Sequence, residues 1–256
     1  MFDANVPRVL DRIRPGDVVL DVGGWARPFN RADHVLDSGP YETRGRWYAE
    51  HFGLEPQAGD VEHFTRASWV TRDICDRAPW PYADKSIDYC TCSHTLEDIR
   101  DPLWVCSEIV RVAKAGYIEV PSRLFEQCRG HEPGIVGLSH HRWLVEIDGA
   151  HLKFFQKYHS IHADYRLSFP AAFARAMSPE QEVSWLFWEG SFTFEEVTIH
   201  GVDAQHEELA RFVQTHYRHP PSQVALEATR RGAAWAVRLP RRVVRKLARG
   251  VRRGVR

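Results

Sequence analysis

The residues of this 256-residue chain best suited to chemistry are acids and histidines that stand where apolar runs end. Asp21 follows Val18-Val19-Leu20 and leads into Val22-Gly23-Gly24-Trp25. Asp37 ends His34-Val35-Leu36, Asp73 ends Trp69-Val70-Thr71-Arg72, and Ser93-His94 follows the run from Ser86 to Cys92. A glycine pair after a strand lets a ligand lie against bare main chain. An acid at the next strand end can accept hydrogen bonds from two sugar hydroxyls, and Asp73, one strand further on, is placed for the amino group of a base. Asp21 is placed either to accept from a ligand ammonium or to orient the glycine turn. His94 is the first candidate for a general base, since it follows a strand and should face the same ligand. His140 and His141, with Arg142 and Trp143 beside them, form a second candidate position, of which His141 is taken as the base.

These residues need a scaffold, and the apolar pattern supplies one. Residues 6–14 read as a short amphipathic helix stopped by Pro15-Gly16, and residues 17–22 as the first strand. Further strands are expected at 34–36, 69–72, 86–92 and 117–121, with helix and loop between Ser38 and Thr65. Asp101 as cap and Pro102 in the first turn start a helix whose apolar face is Leu103, Val105, Cys106, Ile109, Val110 and Val112, and Gly116 is expected to stop it. Strands alternating with crossovers of this length predict a doubly wound, mostly parallel α/β sheet, with ligands beyond the strands' carboxyl ends.

After Pro121 the texture changes. Residues 142–147 and 152–157 form a hairpin signal around Asp148-Gly149. Residues 183–188 and 192–200 form a second strand pair, expected to complete the main sheet, which leaves the first hairpin as an insertion. Trp185 and Trp188 should point to opposite faces of their strand. Residues 203–217 and 221–236 read as helices.

Apolar residues make up 43% and charged residues 27% of the chain, ordinary values for a globular protein, and no signal peptide or membrane span is expected. A cytoplasmic location follows as the default. The five cysteines are expected to be reduced and buried. Cys128, His131, His140 and His141 are metal-ligand types, but their spacing matches no common zinc pattern, and no metal site is expected. The zero net charge conceals an asymmetry. Eleven of the 34 Lys/Arg fall between Arg230 and Arg256, where there is no acid, so the rest of the chain holds 23 basic against 34 acidic residues.

Two segments, VLDVGGWARPFNRADHVLD and DICDRAPWPYADKSIDYCTCSHTLEDIRDPLWVCSEIVRVAKAGYIEVPSR, resemble the class I S-adenosylmethionine-dependent methyltransferases, in the branch of generic methyltransferase domains. The resemblance covers residues 17–123, and its second half carries the more specific pattern: an acid, Pro-Phe-Pro, an acid, a strand, Ser-His-x-Leu-Glu-His, a helix and a closing Glu-Val-Pro. It implies a Rossmann-like, seven-stranded sheet and S-adenosyl-L-methionine as cofactor. Asp21, Val22, Gly23, Gly24 and Trp25 would form the glycine loop, Asp37 would bind ribose, Asp73 and Ile74 would flank adenine, and Ser93 and His94 would lie beside the methionine portion. Trp25 stands where the family usually has a second glycine, and Asp98 replaces its usual histidine.

The resulting expectation is one domain over residues 1–236, with core 17–123, an inserted acceptor-side segment at about 124–180 and closing strands at 183–200. A basic amphipathic C-terminal helix at 237–256 completes the chain. The expected reaction is O-methylation of a small-molecule or glycan-type acceptor. The alternatives are an RNA methyltransferase and a catalytically silent protein that keeps the fold for binding. For the tail, the open readings are a helix on an anionic membrane surface, a nucleic-acid contact, and a structural or disordered end; its apolar stripe favours membrane over nucleic acid, and packing on the chain's own acidic body or on a partner subunit explains the same pattern.

Overall fold

A computed structural model describes residues 1–53, 56–222 and 229. The chain divides into a compact unit, Met1–Ala210, and a second unit, Arg211–Arg256. The basic tail at 237–256 and most of the helix expected at 221–236 lie outside the described residues.

In chain order the elements are α1 (Val6–Leu10), β1 (Val19–Val22), β2 (His34–Asp37), α2 (Arg46–Phe52), β3 (Trp69–Thr71), β4 (Ile87–Ser93), α3 (Pro102–Val112) and β5 (Ala113–Pro121). There follow α4 (Arg123–Glu126), β6 (Trp143–Asp148), β7 (His151–Gln156), α5 (Ala171–Ala174), β8 (Val183–Glu189), β9 (Thr193–Glu196) and α6 (Val202–His216). The main sheet has the order β3-β2-β1-β4-β5-β8. Its first five strands are parallel and β8 runs antiparallel to β5. The order reverses between β1 and β4, which is the switch point where ligands of open α/β sheets bind.

Side chains alternate faces along a strand, and here the alternation sorts apolar core from chemistry. Leu20, Val22, Leu36, Cys90, Cys92, Ile118 and Val120 point to one face and pack with Val105, Cys106, Ile109 and Val112 of α3. The opposite face carries Val19, Val35, Tyr89 and Tyr117, covered by Val9 of α1. Asp21, Asp37, Thr91, Ser93 and Glu119 occupy the alternate positions on that second face, each further toward the carboxyl end of its strand.

The start of α3 is as its sequence requires: Asp101 accepts from the Trp104 N–H at 3.1 Å and Pro102 stands in the first turn. Its end is not set by Gly116. The helix stops at Val112, and Lys85 Nζ donates to the carbonyls of Val110 and Ala113, at 2.6 and 2.9 Å. Gly116 lies inside β5, where a Cβ would stand 2.3 Å from the Cys90 carbonyl oxygen and 2.9 Å from the Trp188 indole. The glycine serves close strand packing.

The closing strands also differ from expectation. Among the described residues six strands form the main sheet, because β8 joins it and β9 does not. After the turn at Gly190 (φ +73°), the Thr193 N–H donates to the Ala150 carbonyl at 3.0 Å. β9 thereby pairs parallel to β7, and β6-β7-β9 form a small separate sheet. Trp188 and Phe192 are buried in the α3-side core, while Trp185 packs on the opposite face as expected. Residues 23–33 cross from β1 to β2 without a helix, and Phe29 and Ala32 of that loop, with Phe64 and α1, bury the face instead.

Candidate functional site

At the end of β1 the glycine turn is built around Asp21. Its carboxylate is buried, accepting from the Phe29 N–H at 2.9 Å and, across the switch point, from the Thr91 hydroxyl at 2.8 Å. Burial pushes its pKa up to about 6, these two hydrogen bonds only partly offsetting the cost. Of the two roles open to Asp21, orienting the loop is the one the contacts describe. Gly24 sits so close that a Cβ there would lie 2.1 Å from Asp21 Oδ2. Gly23 has φ +77°, and a Cβ would fall 2.1 Å from Thr95 Oγ1 in the loop after β4. Val22 is buried, so only its main chain faces the turn.

Asp37 ends β2. Its two oxygens accept from the Trp25 N–H at 3.0 Å and the Gly39 N–H at 2.6 Å. Burial raises its pKa, opposed by those donors. The Trp25 indole packs onto Gly39, whose Cβ would stand 2.2 Å from Trp25 Cγ, and its Nε1–H donates to Thr43 at 2.9 Å. Trp25 thus walls the end of β2 beside Asp37. Downstream of the turn, a cavity of about 710 Å³ opens among Arg27, Tyr41, Arg44, Tyr48, Asp60 and Phe64.

Asp73 lies at the outer edge. One oxygen accepts from the Cys75 N–H at 2.9 Å and the other pairs with Arg100, whose hydrogen bond lowers the Asp73 pKa. Ile74 is buried against the α3-side core.

A heavily bonded acid lies at the glutamate of the Glu-Val-Pro segment, outside the expected site residues. Glu119 on β5 is fully buried. It accepts from the Phe2 N–H at 2.8 and 3.0 Å, from the Ser93 hydroxyl at 3.1 Å and from the Tyr117 hydroxyl. His94 Nε2 lies 3.0 Å from Glu119 Oε1. Burial alone would raise the Glu119 pKa, but the His94 hydrogen bond, the N-terminal ammonium 3.9 Å away and Tyr117 together hold it at about 2. His94 adopts φ +51°, a left-handed conformation that costs a non-glycine residue on the order of 1 kcal/mol or more. Its N–H donates to the Glu119 carbonyl at 2.9 Å, which extends the β4–β5 ladder past the strand and fixes the turn.

His141 belongs to a neighbouring cluster. Its Nδ1 lies 2.6 Å from Glu126 Oε1, and Glu126 also accepts from Lys157 at 2.9 Å. Burial would raise the Glu126 pKa, but His141 and Lys157 lower it. Between the histidines stands Glu97, buried, with Oε1 3.8 Å from His94 Nδ1 and 4.0 Å from His141 Nε2. The two candidate bases are therefore brought to one carboxylate. Cys128 and His131 do not join them: the Cys128 thiol bonds to the Leu124 carbonyl and His131 to that of Phe125. All five cysteines are reduced and buried.

An acid inside an apolar strand, Tyr117-Ile118-Glu119-Val120, was the signal that could have found Glu119, since unpaired buried carboxylates are costly.

A family model described as "Methyltransferase domain" matches residues 42–118. The matched stretch runs from α2 through β3, β4 and α3 into β5, and is what this chain shares with a methyltransferase domain. An uncharacterized methyltransferase from Mycobacterium sp. (strain JLS) is 31% identical over 123 residues, which are 47% of this chain and 44% of that protein. Its counterpart from strain KMS is 30% identical over 123 residues, with the same coverage. The chain thus spans less than half the length of the curated relatives it matches. A SAM-dependent methyltransferase from Aquifex aeolicus overlaps 46% of this chain and 65% of that one, at 18% identity and a TM-score of 0.30, too little for the superposition to bear on function. Among the described residues, no helix is long and apolar enough to cross a membrane.

Proposed function

We propose that this chain transfers a methyl group from S-adenosyl-L-methionine to an oxygen of a hydroxylated small-molecule or glycan-type acceptor. The observation that carries the reading is the His94–Glu119 pair at the carboxyl end of β4, beside the glycine turn of a methyltransferase domain.

The residues at the switch point fit the cofactor. Gly23 and Gly24 keep the turn after β1 free of side chains. Asp37 Oδ2 accepts only the Trp25 N–H among the described residues and has a lone pair left for a ribose hydroxyl, while Oδ1 accepts from the Gly39 N–H and, at 3.5 Å, the Ser38 hydroxyl. Asp73 with Ile74 would hold the adenine side, and Ser93 with His94 the methionine side. The cofactor supplies an electrophilic methyl group, so the protein's part is positioning and proton removal.

Glu119 is ionised at neutral pH, so His94 carries its proton on Nε2 and donates to the carboxylate. Nδ1 is then the basic atom, placed to take the acceptor's hydroxyl proton, and Glu119 stabilises the imidazolium that results. Arg142, exposed beside His141, is of the kind that binds polar, hydroxylated ligands, whereas Trp143 is buried in the core with its Nε1–H donated to the Ile99 carbonyl.

Titration calorimetry with S-adenosylmethionine and S-adenosylhomocysteine tests the cofactor half. Binding by the wild type that weakens at least tenfold in Asp37→Ala is expected, and no binding by the wild type would overturn the reading. Methyl transfer to a panel of hydroxylated acceptors tests the other half, and undiminished turnover in His94→Ala would remove the proposed base.

A further inference from the structure

The cluster around His141 contains groups that methyl transfer does not use. Asp98, His140 and His141 each present a ligand-type atom, and these atoms lie within 4.8 Å of one another. Asp98 Oδ1 is buried, has no hydrogen-bond partner and stands 3.6 Å from His141 Nε2. His141 Nδ1 lies 2.6 Å from Glu126 Oε1, which leaves Nε2 as the ring nitrogen facing Asp98.

A second observation stands behind them. The Glu97 side chain is 1% exposed, and neither of its oxygens has a hydrogen-bond partner. Oε1 lies between His94 Nδ1, at 3.8 Å, and His141 Nε2, at 4.0 Å. Buried carboxylates are otherwise hydrogen-bonded, paired or bound to metal, and Lys157 serves Glu126 rather than Glu97 or Asp98. Two carboxylates thus stand among His140, His141 and, on the far side of Glu97, His94, with no Lys or Arg bonded to either Glu97 or Asp98 among the described residues.

We propose that Asp98, His140 and His141, with Glu97 behind them, bind one divalent transition cation. Two imidazoles with carboxylate oxygens suit zinc, manganese(II), iron(II) or cobalt(II) better than magnesium or calcium. Such a cation draws its ligands to about 2.0–2.2 Å from itself, so small side-chain rotations close the present spacing. The Glu126–His141 contact is the carboxylate–histidine arrangement that orients a metal ligand from outside. His140 is exposed and leaves the ion open to solvent on one side, where an acceptor oxygen could enter. The binding of the ion stands apart from methyl transfer; only its use in activating an acceptor rests on that reading.

The test is titration of the full chain, stripped with EDTA, with Zn²⁺, Mn²⁺ and Co²⁺ by calorimetry, with the visible spectrum of the Co²⁺ form as a second readout. One equivalent is expected to bind, with affinity falling at least tenfold in both Asp98→Ala and His140→Ala. Both residues are at least partly exposed, and circular dichroism confirms that the variants fold. Absence of saturable binding by all three cations, or binding unchanged in both variants, overturns the proposal. Parallel titration with S-adenosylhomocysteine separates the two readings: cofactor bound without metal defeats this inference alone, and metal bound without cofactor defeats methyl transfer alone.

Discussion

His94 Nε2 meets Glu119 Oε1 at 3.0 Å across the β4–β5 pair, and the same carboxylate receives Phe2, Ser93 and Tyr117. Glu119 thus ties the chain's first residues to the loop after β4 while it fixes the tautomer of the histidine. In Glu119→Gln the imidazole loses its ionic partner but the shape of the site is kept. Turnover is expected to fall about 100-fold, in line with the usual contribution of a general base, with cofactor affinity within a few-fold of wild type. A steady-state kcat measured beside calorimetric cofactor binding checks the split.

Glu119 should also leave a mark on acid stability. Its pKa falls from an ordinary 4.5 to about 2 on folding, so its ionised form stabilises the native state. That contribution is complete above about pH 4.5 and disappears as pH falls through 2, and it is worth on the order of 3 kcal/mol. Urea midpoints between pH 2 and 5 should drop more steeply for wild type than for Glu119→Gln.

Asp21 works in the opposite sense. Its pKa rises from 3.8 to about 6 on folding, so the native state holds its proton more tightly and stability declines as pH rises from 3.8 to 6. Asp21→Asn can keep an acceptor for Phe29 and should remove that decline. Thermal midpoints of the variant are expected to gain on wild type between pH 4 and 7, and a constant difference across that range would count against the assignment.

Gly23→Ala combines two penalties, a positive φ and a Cβ 2.1 Å from Thr95 Oγ1. A loss of about 1–3 kcal/mol is expected. Thr95→Ala added to it should return part of that loss, since it relieves the collision but not the backbone strain. The double-mutant cycle from denaturant unfolding gives the coupling.

The strand-end acids were legible because each closes an apolar run, and Asp21 and Asp37 do stand beside the switch point. The face they share was legible too, from the two-residue period that separates Asp21 from Leu20 and Val22. What could not be read is which partner each acid takes. Glu119 draws its ligands from residues 2, 93, 94 and 117, and Asp98 meets His140 and His141 only because the inserted segment folds back over the loop after β4. Trp25 is a similar case. Local sequence marks it as a missing glycine, whereas its position depends on the bare Gly39 and on Thr43. The turn at Glu189-Gly190-Ser191 looks like any hairpin signal, and only the opening left beside His151 and Ala150 sends β9 to β7 instead of back to β8.

That pairing makes the inserted segment something other than a cassette. β9 is cut from the sequence that follows the main sheet but completes a sheet whose other two strands come from the insertion. A graft of residues 124–180 into a related domain would therefore arrive with an open edge along β7, and the donor left behind would expose β9 in the same way. Exchange of such inserted segments between proteins of this architecture requires the border to be drawn after β9, with the edge strand β8 carried along.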